Sequence, residues 1–331
     1  MSQTLNNASA RPAGGAGGAC PACGSLESRK LFTATDRLYR TTSKTFAIVE
    51  CRRCRLLRLH PWPEPAELRR YYPDNYWYVP EMEPAGQWVE RYRRTVLRDH
   101  TRFVGRALRE CGENGPILDV GCGGGLFLRL MAEQGLPVFG LDFCLQAASV
   151  ATTANGVPAV CGSLGRAPFA PGGFAVVTMF HVLEHLYDPA AYLESAHALL
   201  KSNGRLVVQV PNAQSWQFVL LGENWSGLDV PRHLVTFRPR ELIVLLDQCG
   251  FEVLRTKYFS LRDNPAGMAT SLAPWLDPMA RRIRDVQESP RMRFFKDLCY
   301  CALAAACLPL ALLEAACHAG STIMVEARKK T

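Results

Sequence analysis

Much that would classify this 331-residue chain is missing from it. Residues 1–19 are small and polar, with no apolar segment, so a secretory signal is not expected. Without that route to an oxidising compartment, the thirteen cysteines are expected to serve as metal ligands or packing groups in a reducing cytosol rather than as disulfides. A membrane span is not expected either. The apolar stretch 298–313 runs only sixteen residues without a charge, Pro309 interrupts it and Glu314 follows, whereas a spanning helix needs roughly 20 apolar residues. No internal repeat is visible. Charge is not extreme: 21% charged and 48% hydrophobic residues are ordinary for a globular protein that can bury a core. The net charge of +8 favours anionic partners, such as nucleotides, phosphorylated substrates, nucleic acid or an acidic membrane, without choosing among them.

What the chain has is a glycine turn. Residues 117–125 read Ile-Leu-Asp-Val-Gly-Cys-Gly-Gly-Gly, a short apolar run closed by glycine at four of five positions. So much glycine suits a tight turn that lets a ligand approach the backbone. Leu126, Phe127, Leu130 and Met131 then begin a helical pattern. Strand, glycine turn and helix form the layout of a nucleotide-binding α/β unit, for a dinucleotide or another adenosine-containing ligand. The spacing is G-x-G-x-G over Gly121, Gly123 and Gly125. The dinucleotide fingerprint wants Gly or Ala where Leu126 stands. Asp119 sits where a pyrophosphate would gain nothing and a cationic ligand would gain. Asp142 ends the next strand, where an acid accepts two ribose hydroxyls.

Around this unit strands alternate with helices. Strands are expected over 117–120, 138–142, 159–161, 174–179 and 205–210, with helices after Gly125, Phe143, Asp188 and Pro239. That alternation predicts a parallel sheet covered by helices on both faces. Upstream, residues 1–18 read as a disordered tail, and 86–110 as an amphipathic helix with Trp88, Tyr92, Val96, Phe103 and Val104 near one face. Its arginines 91, 94, 98, 102, 106 and 109 fall along one side, as a solvated face or, alternatively, an anion-binding stripe. Between tail and helix lie two Cys-x-x-Cys knuckles, Cys20/Cys23 and Cys51/Cys54, then an aromatic patch of Tyr71, Tyr72, Tyr76, Trp77 and Tyr78. Four thiolates close a tetrahedral zinc site and leave no position for chemistry, so this zinc is expected to be structural.

At this point the sequence resembles the class I S-adenosylmethionine-dependent methyltransferases. Residues 117–125 look like their first motif, and Gly140-Leu-Asp142 like the acidic end of their second strand. The stretch 174–189 resembles their fourth strand and the helix after it, and 199–211 the turn into the fifth. The resemblance covers roughly residues 90–260. It implies a Rossmann-like α/β fold with a seven-stranded sheet, mostly parallel with the last strand antiparallel, here read at 321–327. It also implies S-adenosylmethionine as cofactor. Asp119 and the Gly121–Gly125 backbone would flank the methionine portion, Asp142 would hold the ribose, Phe143 would lie against the adenine, and Ser163 and Leu164 would line the adenine edge. Ser163 stands where many members carry an acid.

The knuckles, Glu67-Leu-x-x-Tyr-Tyr-Pro73 and Asp229-Val-Pro-Arg-His-Leu-Val-Thr-Phe237 resemble a bacterial subgroup with an N-terminal zinc ribbon. Its members act on sugars, nucleotide sugars, cell-surface glycan precursors or secondary metabolites. The implied organisation is a tail (1–18), a zinc ribbon with aromatic linker (19–80), and a methyltransferase domain (81–331) with an apolar insertion at 260–320. Methyl transfer requires alignment of a nucleophile and removal of its proton, work that suits histidine. His233 is the first choice for base and His181 the second. His185 and Glu184 read more readily as structural, and Tyr76 and Tyr78 as aromatic packing or a cover over the acceptor. The segment 298–313 is expected to be a buried helix or hairpin capping the substrate site; with the arginines at 281–293, the sharper alternative is peripheral contact with the inner membrane face through 281–313. Two competing functions remain open: an RNA methyltransferase whose ribbon binds nucleic acid, and a non-catalytic scaffold. Against the first, Met179-Phe-His-Val182 lacks the Asn/Asp-Pro-Pro-aromatic motif of base amino-group methylation, so nucleic acid is not the expected partner.

Overall fold

The computed structural model describes residues 19–73, 76 and 87–330, with side chains in the second helix from Arg91 onward. The expected tail over 1–18, Trp77, Tyr78 and the side chain of Trp88 lie outside the described residues. Strands β1 (Ser28–Thr35), β2 (Thr45–Cys51) and β3 (Leu57–His60) come first, followed by helices α1 (Pro65–Arg70) and α2 (Gln87–Cys111). Then come β4 (Ile117–Val120), α3 (Leu126–Ala132), β5 (Val138–Asp142), α4 (Leu145–Thr153), β6 (Ala159–Cys161), β7 (Phe174–Phe180), α5 (Pro189–Leu199) and β8 (Leu200–Pro211). The chain continues through α6 (Trp216–Leu221), β9 (Val235–Thr236), α7 (Pro239–Gln248), β10 (Phe251–Lys257), α8 (Asn264–Leu272), α9 (Pro278–Ile283), α10 (Pro290–Ala316) and β11 (Thr322–Lys329).

The main sheet has seven strands in the order β10-β11-β8-β7-β4-β5-β6. β4, β5, β6, β7 and β8 pair in parallel, and β11 runs antiparallel to both of its neighbours. This is the expected α/β class. Strand alternation sends neighbouring residues into two cores. Leu118, Val177, Val208 and Val325 pack on one face, whereas Ile117, Val176, Val207 and Met324 pack on the other with Phe103, Val104 and Phe127. Helix starts follow local chemistry. Asp188 caps α5 by accepting from the Ala191 amide, with Pro189 at the first helical position. β8 begins earlier than the 205 read from sequence: Lys201-Ser-Asn-Gly204 has no apolar residue to mark a strand, yet Leu200 pairs with Phe174.

The chain crosses the sheet in a way that fixes the site. From β4 it moves to β5 and β6 on one side, then returns to β7 and β8 on the other. A crevice therefore opens at the carboxyl end of β4, where α/β folds bind ligands. The glycine turn occupies that end.

Two features differ from the sequence reading. The N-terminal strands do not stand apart. β9 adds to β3 as the fourth strand of an antiparallel sheet. Phe46, Ile48, Leu57, Leu59 and Tyr71 share a core with Phe218, Trp225, Leu228 and Leu234. The apolar stretch at 298–313 is also not the buried helix or hairpin expected. It is the second half of α10, one 27-residue helix that continues through Pro309, and only Cys307, Ala311 and Glu314 along it are buried. The arginines of α2 at 91, 94, 98, 102, 106 and 109 are all exposed; Arg94 pairs with Glu133 and Arg106 with Glu110.

Candidate active site

At the end of β4 the backbone turns through three glycines with positive φ, Gly121 (+76°), Gly123 (+52°) and Gly125 (+79°). At Gly121 a Cβ would sit 2.6 Å from Val182 Cγ2, so both the angle and the space require glycine. At Gly123 nothing lies within 4 Å of that position, which leaves the turn open on its outer side.

Asp119 is buried beneath the turn. One carboxylate oxygen accepts from the Thr178 hydroxyl at 2.6 Å. Burial pushes its pKa up to about 7, Thr178 pulls it down, and the neighbouring Asp142 pushes it further up. The acid lies on a cavity of about 340 Å³ lined by Gly121, Gly124, Phe127, Phe180, Tyr92 and Arg262 among others. A buried carboxylate with a raised pKa, an open glycine turn and a cavity beside them fit a ligand with a cationic group.

Asp142 accepts from the amides of Gly123 (2.9 Å) and Cys144 (2.9 Å). Burial raises its pKa. Each oxygen keeps a second lone pair for a hydroxyl donor. Phe143 is exposed and stands 6.4 Å from the Tyr72 ring. Ser163 follows β6 as expected. Leu164 corrects the sequence reading: its side chain is buried in the main core, because the short 3-10 turn at 164–166 directs it under α5, so only its backbone can face a ligand.

A second cavity, of about 360 Å³, opens beside the first. Arg262 lines both cavities; Phe180 lines the first and His181, next in sequence, the second. The second cavity brings together His181, His185 and His233, which come from two separate segments, with Tyr39 and Tyr76 from the N-terminal region and Asp263, Asp277 and Tyr300 from the segment after β10.

The three histidines differ in state. His181 has a left-handed backbone (φ +57°) at the end of β7. Its Nδ1 lies 3.1 Å from Glu184 Oε1 and its Nε2 3.6 Å from Asp263 Oδ2. Burial alone would lower its pKa, but the two carboxylates prevail and hold it at about 9. The carboxylates thus favour the protonated ring, and the Gln209 amide nitrogen lies 3.0 Å from Nε2, so His181 is the less available of the two base candidates. Glu184 is an ion-pair partner of His181. His185 is the opposite case. Burial, then the neighbouring His233, press its pKa down to about 4. Its Nδ1 faces the Arg232 carbonyl at 3.1 Å and the Tyr72 hydroxyl at 2.9 Å. A carbonyl only accepts, so the proton sits on Nδ1.

His233 packs edge-on against His185 at 4.5 Å. Its Nδ1 donates to the Gly227 carbonyl at 2.9 Å, which fixes the tautomer and leaves Nε2 with a lone pair. Asp229 Oδ2 lies 4.0 Å from that nitrogen, placed to stabilise an imidazolium. Donor atoms of Glu184, His185 and His233 lie within 4.8 Å of one another, near enough to share one cation.

Arg232, the residue before the base candidate, was missed by sequence reasoning. It is wholly buried. It donates to Asp36 of the N-terminal sheet (2.8 Å), to Asp229 (2.8 Å) and to the Tyr71 carbonyl (3.1 Å), and it stacks on Tyr39 at 4.4 Å. Its place in the 229–237 motif was a signal. Asp263 and Arg262 gave none, since they lie in a segment without a motif.

The four knuckle cysteines converge in the N-terminal sheet. Cys20 and Cys54 sulfurs are 3.4 Å apart, Cys23 and Cys51 sulfurs 3.5 Å, and all four lie within 4.8 Å. Sulfurs about 2.3 Å from a tetrahedral zinc stand about 3.8 Å apart, so the set fits that ion. Both knuckles make the same turn: the Gly24 amide donates to the Cys20 carbonyl (2.8 Å) and the Arg55 amide to that of Cys51 (3.0 Å). Gly24 and Arg55 both have positive φ.

A model of the methyltransferase domain family matches residues 89–256, just over half of the chain. A ubiquinone biosynthesis O-methyltransferase from Pseudomonas aeruginosa is 32% identical over 149 residues, 41% of this chain and 64% of that protein. The chain therefore spans slightly less than two thirds of that relative. A ubiquinone biosynthesis O-methyltransferase from Photobacterium profundum is 31% identical over 163 residues, 45% of this chain and 69% of that protein. Among solved structures, a SAM-dependent methyltransferase from Archaeoglobus fulgidus shares 15% identity at a TM-score of 0.45, covering 73% of this chain and 100% of that one. With the domain matched across half its length, the chain belongs to the S-adenosylmethionine-dependent methyltransferase family.

Proposed function

We propose that the protein transfers a methyl group from S-adenosylmethionine to a small polar acceptor, with His233 as the base. The observation that carries this is the meeting of two cavities at Arg262, one beside the glycine turn and Asp119, the other beside the histidines. When bound, the cofactor supplies a methyl group on a positively charged sulfur, already activated for displacement. Asp119 takes up the ammonium of its amino-acid portion, and the amides of 121–125 contact the rest of that portion. Asp142 accepts the ribose hydroxyls. Phe143 covers the adenine, with Ser163 and the Leu164 backbone at its edge. His233 Nε2 receives the acceptor's proton while Asp229 steadies the charge. His181, held between Glu184 and Asp263, lines the acceptor cavity.

The acceptor we favour is a sugar, nucleotide sugar or glycan precursor. Asp229, His233 and Asp263 line the cavity together with hydroxyl side chains such as Ser226 and Ser321, a polar wall that suits a molecule with several hydroxyls. A phenolic acceptor is the second reading. It is favoured by the aromatic rings of Tyr39, Tyr76 and Tyr300, and two relatives are named for ubiquinone biosynthesis. In this proposal residues 81–331 form the catalytic domain, and 19–80 hold a structural zinc ion at Cys20, Cys23, Cys51 and Cys54 and supply part of the acceptor wall. A cytoplasmic setting accords with thirteen cysteines that form no disulfide.

The test is methyl transfer from labelled cofactor to nucleotide sugars, lipid-linked glycans, phenols and RNA. His233→Ala is expected to lower kcat on the identified acceptor by about 10²–10⁴-fold with cofactor affinity intact. Full turnover in that variant would remove the base assignment.

A further inference from the structure

We propose that the outer face of α10 docks the protein on an anionic membrane surface. The helix is 27 residues long and apolar enough to cross a bilayer, yet only 17% of its apolar stretch is buried. Phe294 is 72% exposed, Phe295 61%, Leu298 57% and Leu313 53%. With Cys301, Ala305 and Leu312 they fall within about a third of the helix circumference and so share one side. This face runs about 33 Å from Phe294 to Ala316. Val219 and Leu220 of α6, also exposed, adjoin its far end, since α6 is tied to α10 by the Gln217–Glu314 hydrogen bonds. An exposed apolar strip of this extent marks a contact surface.

The helix lies along the surface and does not cross it. Glu314 is buried and accepts from the amide and side chain of Gln217, and Tyr300 bonds Thr270 of α8 at 2.9 Å. Leaving the protein to span a bilayer would strip these groups of their partners.

Charge selects the occupant. Arg291 and Arg293 are exposed in the first turn, where the helix dipole disfavours cations. Neither makes an ion pair among the described residues, whereas nearby Arg281 and Lys296 are paired with Glu288. A second copy offers them few acidic side chains. In an antiparallel pair they would meet the end at 312–318, where the one acid, Glu314, is buried; in a parallel pair they would meet each other. Lipid phosphates supply the missing charge, and a helix with apolar residues and flanking arginines lies stably in the headgroup layer. Tyr300, on the inner side of the same helix, lines the acceptor cavity, so docking brings that cavity to the bilayer.

The full chain is sedimented with vesicles of phosphatidylcholine alone and with vesicles containing about 30% phosphatidylglycerol. Binding is expected to the anionic vesicles and to weaken with salt. Phe295→Glu/Leu298→Glu is expected to reduce it by about tenfold or more, and Arg291→Glu/Arg293→Glu to abolish the preference for anionic lipid. Both double variants should keep the wild-type affinity for S-adenosylmethionine by calorimetry, which shows that they fold and separates this proposal from the proposed activity. No vesicle binding by the wild type, undiminished binding by Phe295→Glu/Leu298→Glu, or a dimer that the same variant dissolves without any lipid binding would overturn it.

Discussion

Asp119 shows how one side chain can report its ligand. With a pKa raised to about 7, it is about half protonated at neutral pH when no ligand is bound. A cationic ligand favours the carboxylate and draws that pKa down. Affinity for S-adenosylmethionine should thus be full above pH 7 and decline by up to about tenfold per unit as pH falls below it. Calorimetry from about pH 5.5 to 8.5 reads this directly. Asp119→Asn should weaken binding and flatten the profile. The histidines carry a matching lesson: three lie together, but Asp263 and Glu184 push the pKa of His181 up, burial pushes that of His185 down, and His233 has its Nδ1 on a carbonyl and Asp229 near its Nε2. Sequence singled out His233 and His181, and both line the second cavity. It could not see Asp263, 82 residues from His181, and so could not see the second carboxylate that raises its pKa.

Among the elements, the 229–233 loop depends most on distant groups. Arg232 is buried between Asp36 and Asp229 and holds the next residue, His233, at the cavity wall. Removing Asp36 leaves this buried guanidinium with Asp229 as its remaining carboxylate. Asp36→Ala should lower unfolding free energy by about 2–3 kcal/mol in urea titrations and lower turnover more than cofactor affinity. The glycine turn is fixed locally instead: Gly121→Ala introduces a Cβ against Val182 at a strained φ, and should weaken cofactor binding. The turn was legible because its requirement is written in consecutive residues. The α10 expectation failed because composition gives an apolar helix but not which side of it finds a neighbour.

At the scale of the molecule, the cysteine cluster and the His233 loop are joined. Cys51 ends β2, Cys54 precedes β3, and β3 pairs with β9, which begins two residues after His233. Metal analysis should find one zinc per chain. Cys51→Ser, or chelation, should lower the melting temperature and turnover while leaving binding at the remote glycine turn largely intact, as paired calorimetry and methyl-transfer assays would show. The sequence by itself determined the parallel sheet, the glycine turn with its two acids, and the pairing of the cysteine knuckles, because each rests on periodicity or spacing within a short segment. Tertiary structure alone decided which histidine sits between two carboxylates, that Arg232 clamps the His233 loop to the N-terminal sheet, and that α10 shows its apolar side to solvent. Those outcomes depend on burial and on charges brought together from segments far apart in the chain, and no local pattern encodes them.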